Sequence, residues 1–149
     1  MKAIVCYDSR YGNTEIISLA IVRGLKAGGV DDVLVMKLKT ADEEDFKDRE
    51  LWIVGSPTRW GSATFGLRTL LKNAINYEGK DKRAAVFDTR FENMHRGAAE
   101  KLKIIFERSN ITLVLPPESF MVMAIKGPLA EGEEARAEEF GKRIADQVR

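Results

Sequence analysis

Cysteine, histidine, proline and long apolar runs are all scarce in this 149-residue chain. The single cysteine, Cys6, excludes an internal disulfide framework and any CxxC metal or redox pair. The single histidine, His95, leaves no Ser-His-Asp arrangement to assign, and its setting before a helix reads as a solvated or capping residue. No apolar stretch approaches membrane-spanning length. The opening "MKAIVCY" is too short an apolar run for a signal peptide, so a cytoplasmic location with no membrane association is expected. Charge of one sign is also missing: the net charge is +1, which argues against a nucleic-acid footprint. No metal site is expected, because the carboxylates that come closest together, Glu43, Glu44 and Asp45, fall on a solvated turn.

What is present is an alternation. Ala3–Cys6, Val33–Leu38, Leu51–Val54, Ala84–Phe87 and Ile111–Leu115 are short, mostly continuous apolar runs, as expected of strands covered on both faces. Between them lie stripes at helical spacing: Ile17, Ala20, Ile21 and Gly24; then Leu67, Leu70, Leu71 and Ala74; then Ala98, Leu102, Ile105 and Phe106. A last stripe joins Ala137, Phe140, Ile144 and Val148, with "EGEEARAEE" as its wet face. "TADEEDF" gives a capped turn, Thr40 and Glu43 having the spacing of a capping box. With 44% apolar residues, no repeat and no linker, residues 1–149 read as one α/β domain built on a doubly wound, five-stranded parallel sheet. Cys6 and Trp52, inside strands, read as core.

A ligand on such a sheet sits beyond the carboxyl ends of the strands. The segments there are "DSRYGNTE" after the first strand, "GSPTRWGSAT" after the third and "DTRFENMHRG" after the fourth. In the first, Ser9 and Thr14 supply hydroxyls, Gly12 lets the backbone turn its N–H groups inward, and Asn13 or Thr14 starts a helix whose positive end faces an anion. The same residues would also serve as a plain strand exit and helix cap. Neither GxxxxGK[ST] nor GxGxxG occurs, and Gly55 stands where a phosphorelay receiver needs an aspartate.

"SRYGNT", Ser9 to Thr14, and "GSPTRWG", Gly55 to Gly61, together resemble the two cofactor loops of the short-chain flavodoxins. The resemblance extends along the whole chain and implies strand order 2-1-3-4-5 and bound FMN. It implies a phosphate held by Ser9, Arg10, Tyr11, Gly12, Asn13 and Thr14, and a ring flanked by Pro57, Thr58, Arg59, Trp60 and Gly61. A third segment, Asp88, Thr89, Arg90 and Phe91, would complete the site, with Phe91 in place of the usual stacking tyrosine. By the same resemblance the Gly61–Ser62 peptide would reorient on reduction, so that FMN cycles through semiquinone and hydroquinone, and redox partner proteins would dock at the flavin edge. "PTRWG" also resembles the flavodoxin-like quinone reductases, which leaves an FMN-dependent NAD(P)H reductase of quinone-like small acceptors as the alternative. Neither reading assigns a catalytic residue. Arg10, Arg59, Arg90 and Arg96 make these loops basic, where family carriers are acidic, and the potential of the reduced couple is expected to be correspondingly less negative.

Overall fold

The computed structural model describes all residues, 1–149. Six parallel strands form one sheet: β1 Lys2–Tyr7, β2 Asp32–Lys37, β3 Leu51–Pro57, β4 Arg83–Arg90, β5 Thr112–Leu113 and β6 Glu118–Met121. They run in the order β2-β1-β3-β4-β5, and β6 pairs with β4 further along the same edge. Alternation sorts β1 between the two faces. Ala3, Val5 and Tyr7 pack with α1 (Asn13–Ala27) and α4 (Glu133–Val148), while Ile4 and Cys6 pack with α2 (Phe65–Glu78) and α3 (Ala98–Arg108). Both layers are built of buried apolar side chains, in keeping with the continuous apolar runs of the inner strands. Cys6 is fully buried, and burial, aided by the charges of Asp45 and Asp8, pushes its thiol up to about 12, so it is inert core. Trp52 is likewise buried, its indole N–H donating to the Arg49 carbonyl at 2.8 Å.

Four expectations need correction. The third and fourth strands run three residues further than their apolar cores, to Pro57 and Arg90, because the β3–β4 ladder continues through Ser56–Asp88 and Pro57–Thr89. Asp88, Thr89 and Arg90 are therefore strand residues, not loop residues. The fifth strand is only Thr112–Leu113: Pro116 and Pro117 donate no N–H, so the ladder stops and resumes as β6. The capping box belongs to Asp42 and Asp45 at the turn Glu43–Phe46, since the Thr40 hydroxyl turns back to the Lys37 carbonyl. Glu133 is not on a wet face. It is buried, accepts the Met121 N–H at 2.6 Å and pairs with Arg136. Burial alone would raise its pKa, but these hydrogen bonds outweigh burial and hold it below the usual carboxylate value.

Candidate flavin-binding site

The carboxyl ends of β1, β3 and β4 converge on a cavity of about 550 Å³. Its first wall follows β1. Gly12 has φ 95°, which an L side chain adopts only with strain, and it caps α1 without a side-chain acceptor. The Ser9 hydroxyl takes up the N–H groups of Gly12 (3.2 Å) and Glu15 (3.3 Å). The N–H groups of Asn13 and Thr14 have no acceptor in the protein. Two free donors at the positive end of a 15-residue helix are what a phosphate would complete. Below them the Tyr7 hydroxyl donates to Glu15 at 2.6 Å, and burial, then this bond, raises the pKa of Tyr7. The Thr14 hydroxyl is not free, being buried and paired with the Thr89 hydroxyl at 2.9 Å.

The second wall is a tight turn after β3. Arg59 and Ser62 exchange both backbone hydrogen bonds at 2.8 Å, with Trp60 at φ 51° and Gly61 at φ 72° between them, the signature of a type I′ turn. Trp60 consequently stands wholly in solvent at the cavity mouth, where a large apolar ring has no packing role. The turn is tied back by the Ser56 hydroxyl, which donates to the Pro57 carbonyl (2.8 Å) and accepts the Thr64 N–H (3.2 Å).

The third wall rises from β4. Asp88 is completely buried, and Arg90 is 6% exposed. Arg90 donates to Asp88 at 2.5 Å and to Glu100 at 2.6 Å. Burial alone would lower the pKa of Arg90, but these two carboxylates raise it. Asp88 also accepts the Ala99 N–H (2.9 Å) and the Thr58 hydroxyl (3.3 Å), so one carboxylate joins β4, the start of α3 and the end of β3. Arg90 is therefore a compensated cation, not an arginine extended into water.

Of the residues expected at the site, all but Gly12, Gly61 and Asp88 line the cavity. Gly12 and Gly61 stand in its walls at positive φ, and Asp88 is buried behind Arg90. Sequence reasoning missed Met94, Val122 and Ile125, which line it as well. Val122 and Ile125 belong to a strap after β6, closed by the Val122–Leu129 bridge and seated so near Asn13 that a Cβ on Gly127 would come 2.6 Å from its carboxamide oxygen. The signal was there in "SFMVMAIKGP", an apolar run ending in a turn. His95 is exposed and lies outside the cavity.

Two free helix N–H groups, with Trp60, Phe91, Met94, Val122 and Ile125 lining the same cavity, suit a flat aromatic ring carrying a phosphate tail. No family model matches the chain. A flavodoxin from Clostridium saccharobutylicum is 24% identical over 158 residues, covering 100% of this chain and 98% of that one. The structure of an archaeal flavodoxin superposes with a TM-score of 0.84 at 23% identity, covering 99% of both chains. The chain has a flavodoxin-like fold. The flavodoxin-like chain also matches a nitric oxide reductase from Moorella thermoacetica at 26% identity, spanning 99% of itself but only 36% of that relative. A flavin fits the donor set and the apolar slot described above.

Proposed function

We propose that the protein is an FMN-binding electron carrier of flavodoxin type. The observation that carries this reading is the pairing, in one cavity, of two unsatisfied helix N–H groups with an apolar slot open at its rim. Bound FMN would supply one-electron redox chemistry. The protein's own part is to hold and shield it. The N–H groups of Asn13 and Thr14, with Arg10, would take the phosphate. Pro57, Trp60 and Phe91 would exclude water from the ring, with Met94, Val122 and Ile125 closing the remaining side. Gly61, already at positive φ, would let the Trp60 turn adjust its backbone without steric cost. Asp88 and Glu100 would keep Arg90 and the wall it carries in place. No helix is long and apolar enough to cross a membrane, and we place the carrier in the cytoplasm, where it would exchange electrons with partner proteins.

Calorimetric titration of the flavin-stripped protein tests this. FMN is expected to bind at least tenfold more tightly than riboflavin, a difference of about 1.4 kcal/mol assigned to the phosphate. Stepwise reduction of the loaded protein is expected to resolve two one-electron potentials, with slow NAD(P)H oxidation. Failure to bind FMN overturns the reading, and rapid NAD(P)H-dependent quinone reduction replaces it with the reductase.

A further inference from the structure

Residues 122–130 leave the sheet after β6 and return to α4 as a strap along the cavity, giving it Val122 and Ile125. The strap is firmly held at its base. The Val122 N–H donates to the Arg90 carbonyl at 2.9 Å and the Ala130 N–H to the Met121 carbonyl at 2.8 Å. The buried Glu133 carboxylate, paired with Arg136, takes the Met121 N–H at 2.6 Å. Beyond that base the anchoring stops. From Met123 to Leu129 the backbone hydrogen bonds run from the Met123 N–H to the Pro128 carbonyl and from the Gly127 N–H to the Ala124 carbonyl, both internal to the strap. Met123 and Ile125 are 68% and 70% exposed, so the tip buries little that would hold it down.

The tip nevertheless has a seat, and the seat is the loop after β1. Gly127 lies against the Asn13 carboxamide, and the Lys126 ammonium stands 6.0 Å from the centre of the Tyr11 ring. Asn13 also carries one of the two free N–H groups at the start of α1. We propose that residues 122–130 form a hinged cover, whose tip lifts to admit the flavin and is held down by a phosphate bound at the start of α1. This rests on the carrier reading and adds control of cofactor exchange at the same site. Such coupling requires the anion to prefer the closed form. Lys126 supplies that preference, because closure brings its charge toward the anion and opening carries it away. Asn13 supplies the rest: its N–H meets the phosphate while its carboxamide is the surface on which Gly127 rests. Glu133 is a positioning residue that fixes the pivot, so the tip moves without unpairing β6 from β4.

Hydrogen exchange of the flavin-free protein, followed by nuclear magnetic resonance, tests this with inorganic phosphate and with chloride at matched ionic strength. As phosphate saturates the shifts of the Asn13 and Thr14 N–H groups, those of Met123 and Gly127 should exchange several-fold more slowly, with the inner-strand Val5 unmoved. Lys126→Gln should shrink that slowing. Stopped-flow binding of FMN then separates a gate from a fixed wall. Gly127→Val sets a branched side chain at φ 97° and against the Asn13 carboxamide, so whichever gives way, the seat is lost. A gate held open speeds FMN entry several-fold as well as its release, whereas a wall that merely loses a contact speeds release alone. Strap amides indifferent to phosphate, or an entry rate unchanged in Gly127→Val, overturn the proposal. Failure of the unaltered protein to bind FMN overturns the carrier reading instead, and the phosphate-dependent exchange still decides the cover.

Discussion

Replacing Arg90 by methionine keeps the length of the side chain but strips the buried Asp88 carboxylate of its cation. The two carboxylates that Arg90 holds are not equivalent: the Asp88 side chain is wholly buried, whereas that of Glu100 is 42% exposed. Water screens the outer pair, which is worth about 1 kcal/mol or less. Breaking the inner pair leaves an unpaired charge in the interior with only the Ala99 N–H and the Thr58 hydroxyl as donors, at a cost of about 3–5 kcal/mol. For a chain of this size that lowers Tm by roughly 10 °C. The assay is urea unfolding followed by far-ultraviolet circular dichroism, on Arg90→Met, Glu100→Gln and the double variant Asp88→Asn/Arg90→Met. The double variant should recover most of the loss, because no bare charge remains. Arg90→Met should also weaken FMN binding, since Phe91 and the start of α3 depend on the same cluster. The reasoning is refuted if Arg90→Met costs no more than Glu100→Gln, or if the double variant is no more stable than the single.

The other expectations concern each wall and the strap. A Cβ on Gly12 would meet no atom within 4 Å, so the effect of Gly12→Ala comes from backbone strain at φ 95°, about 1–2 kcal/mol, and titration should show FMN affinity falling toward that of riboflavin. Trp60→Ala should leave unfolding unchanged within about 0.5 kcal/mol, because the ring touches nothing, yet weaken FMN about tenfold; equal losses in both assays would contradict it. Arg59→Glu should make the second reduction potential more negative at low salt and leave it nearly unmoved at high salt, as read by redox titration. Glu133 has a lowered pKa in the folded protein, so its contribution is present above the ordinary carboxylate value of about 4.5 and is lost as pH falls through the lower folded value. Glu133→Gln should therefore reduce stability at neutral pH and flatten the acid limb of a stability–pH curve; parallel limbs would show the buried pair carries nothing.

The sequence by itself determined the layering and the place of the site. Continuous apolar runs such as Ala3–Cys6 and Leu51–Val54 read as strands covered on both faces, stripes such as Ile17, Ala20 and Ile21 as helix faces turned to a sheet, and ligands gather where such strands end. Gly12 and the Trp60–Gly61 turn were legible because turn chemistry is local and demands particular residues. What only the tertiary structure decided depends on groups distant in the chain. Asp88 and Thr89 look like loop polar residues until β4 pairs beyond its apolar core with β3. Thr14 reads as a purely local helix-start hydroxyl until Thr89, 75 positions later, joins it in a buried hydrogen bond. Arg90 looks like a solvated cation until β4 and α3 bury it between two carboxylates. The strap behind Val122 and Ile125 exists because two prolines break the edge strand and a second segment rejoins it. Local preference is written residue by residue, but the charge state and freedom of a side chain depend on its neighbours, and those are set only when the chain closes.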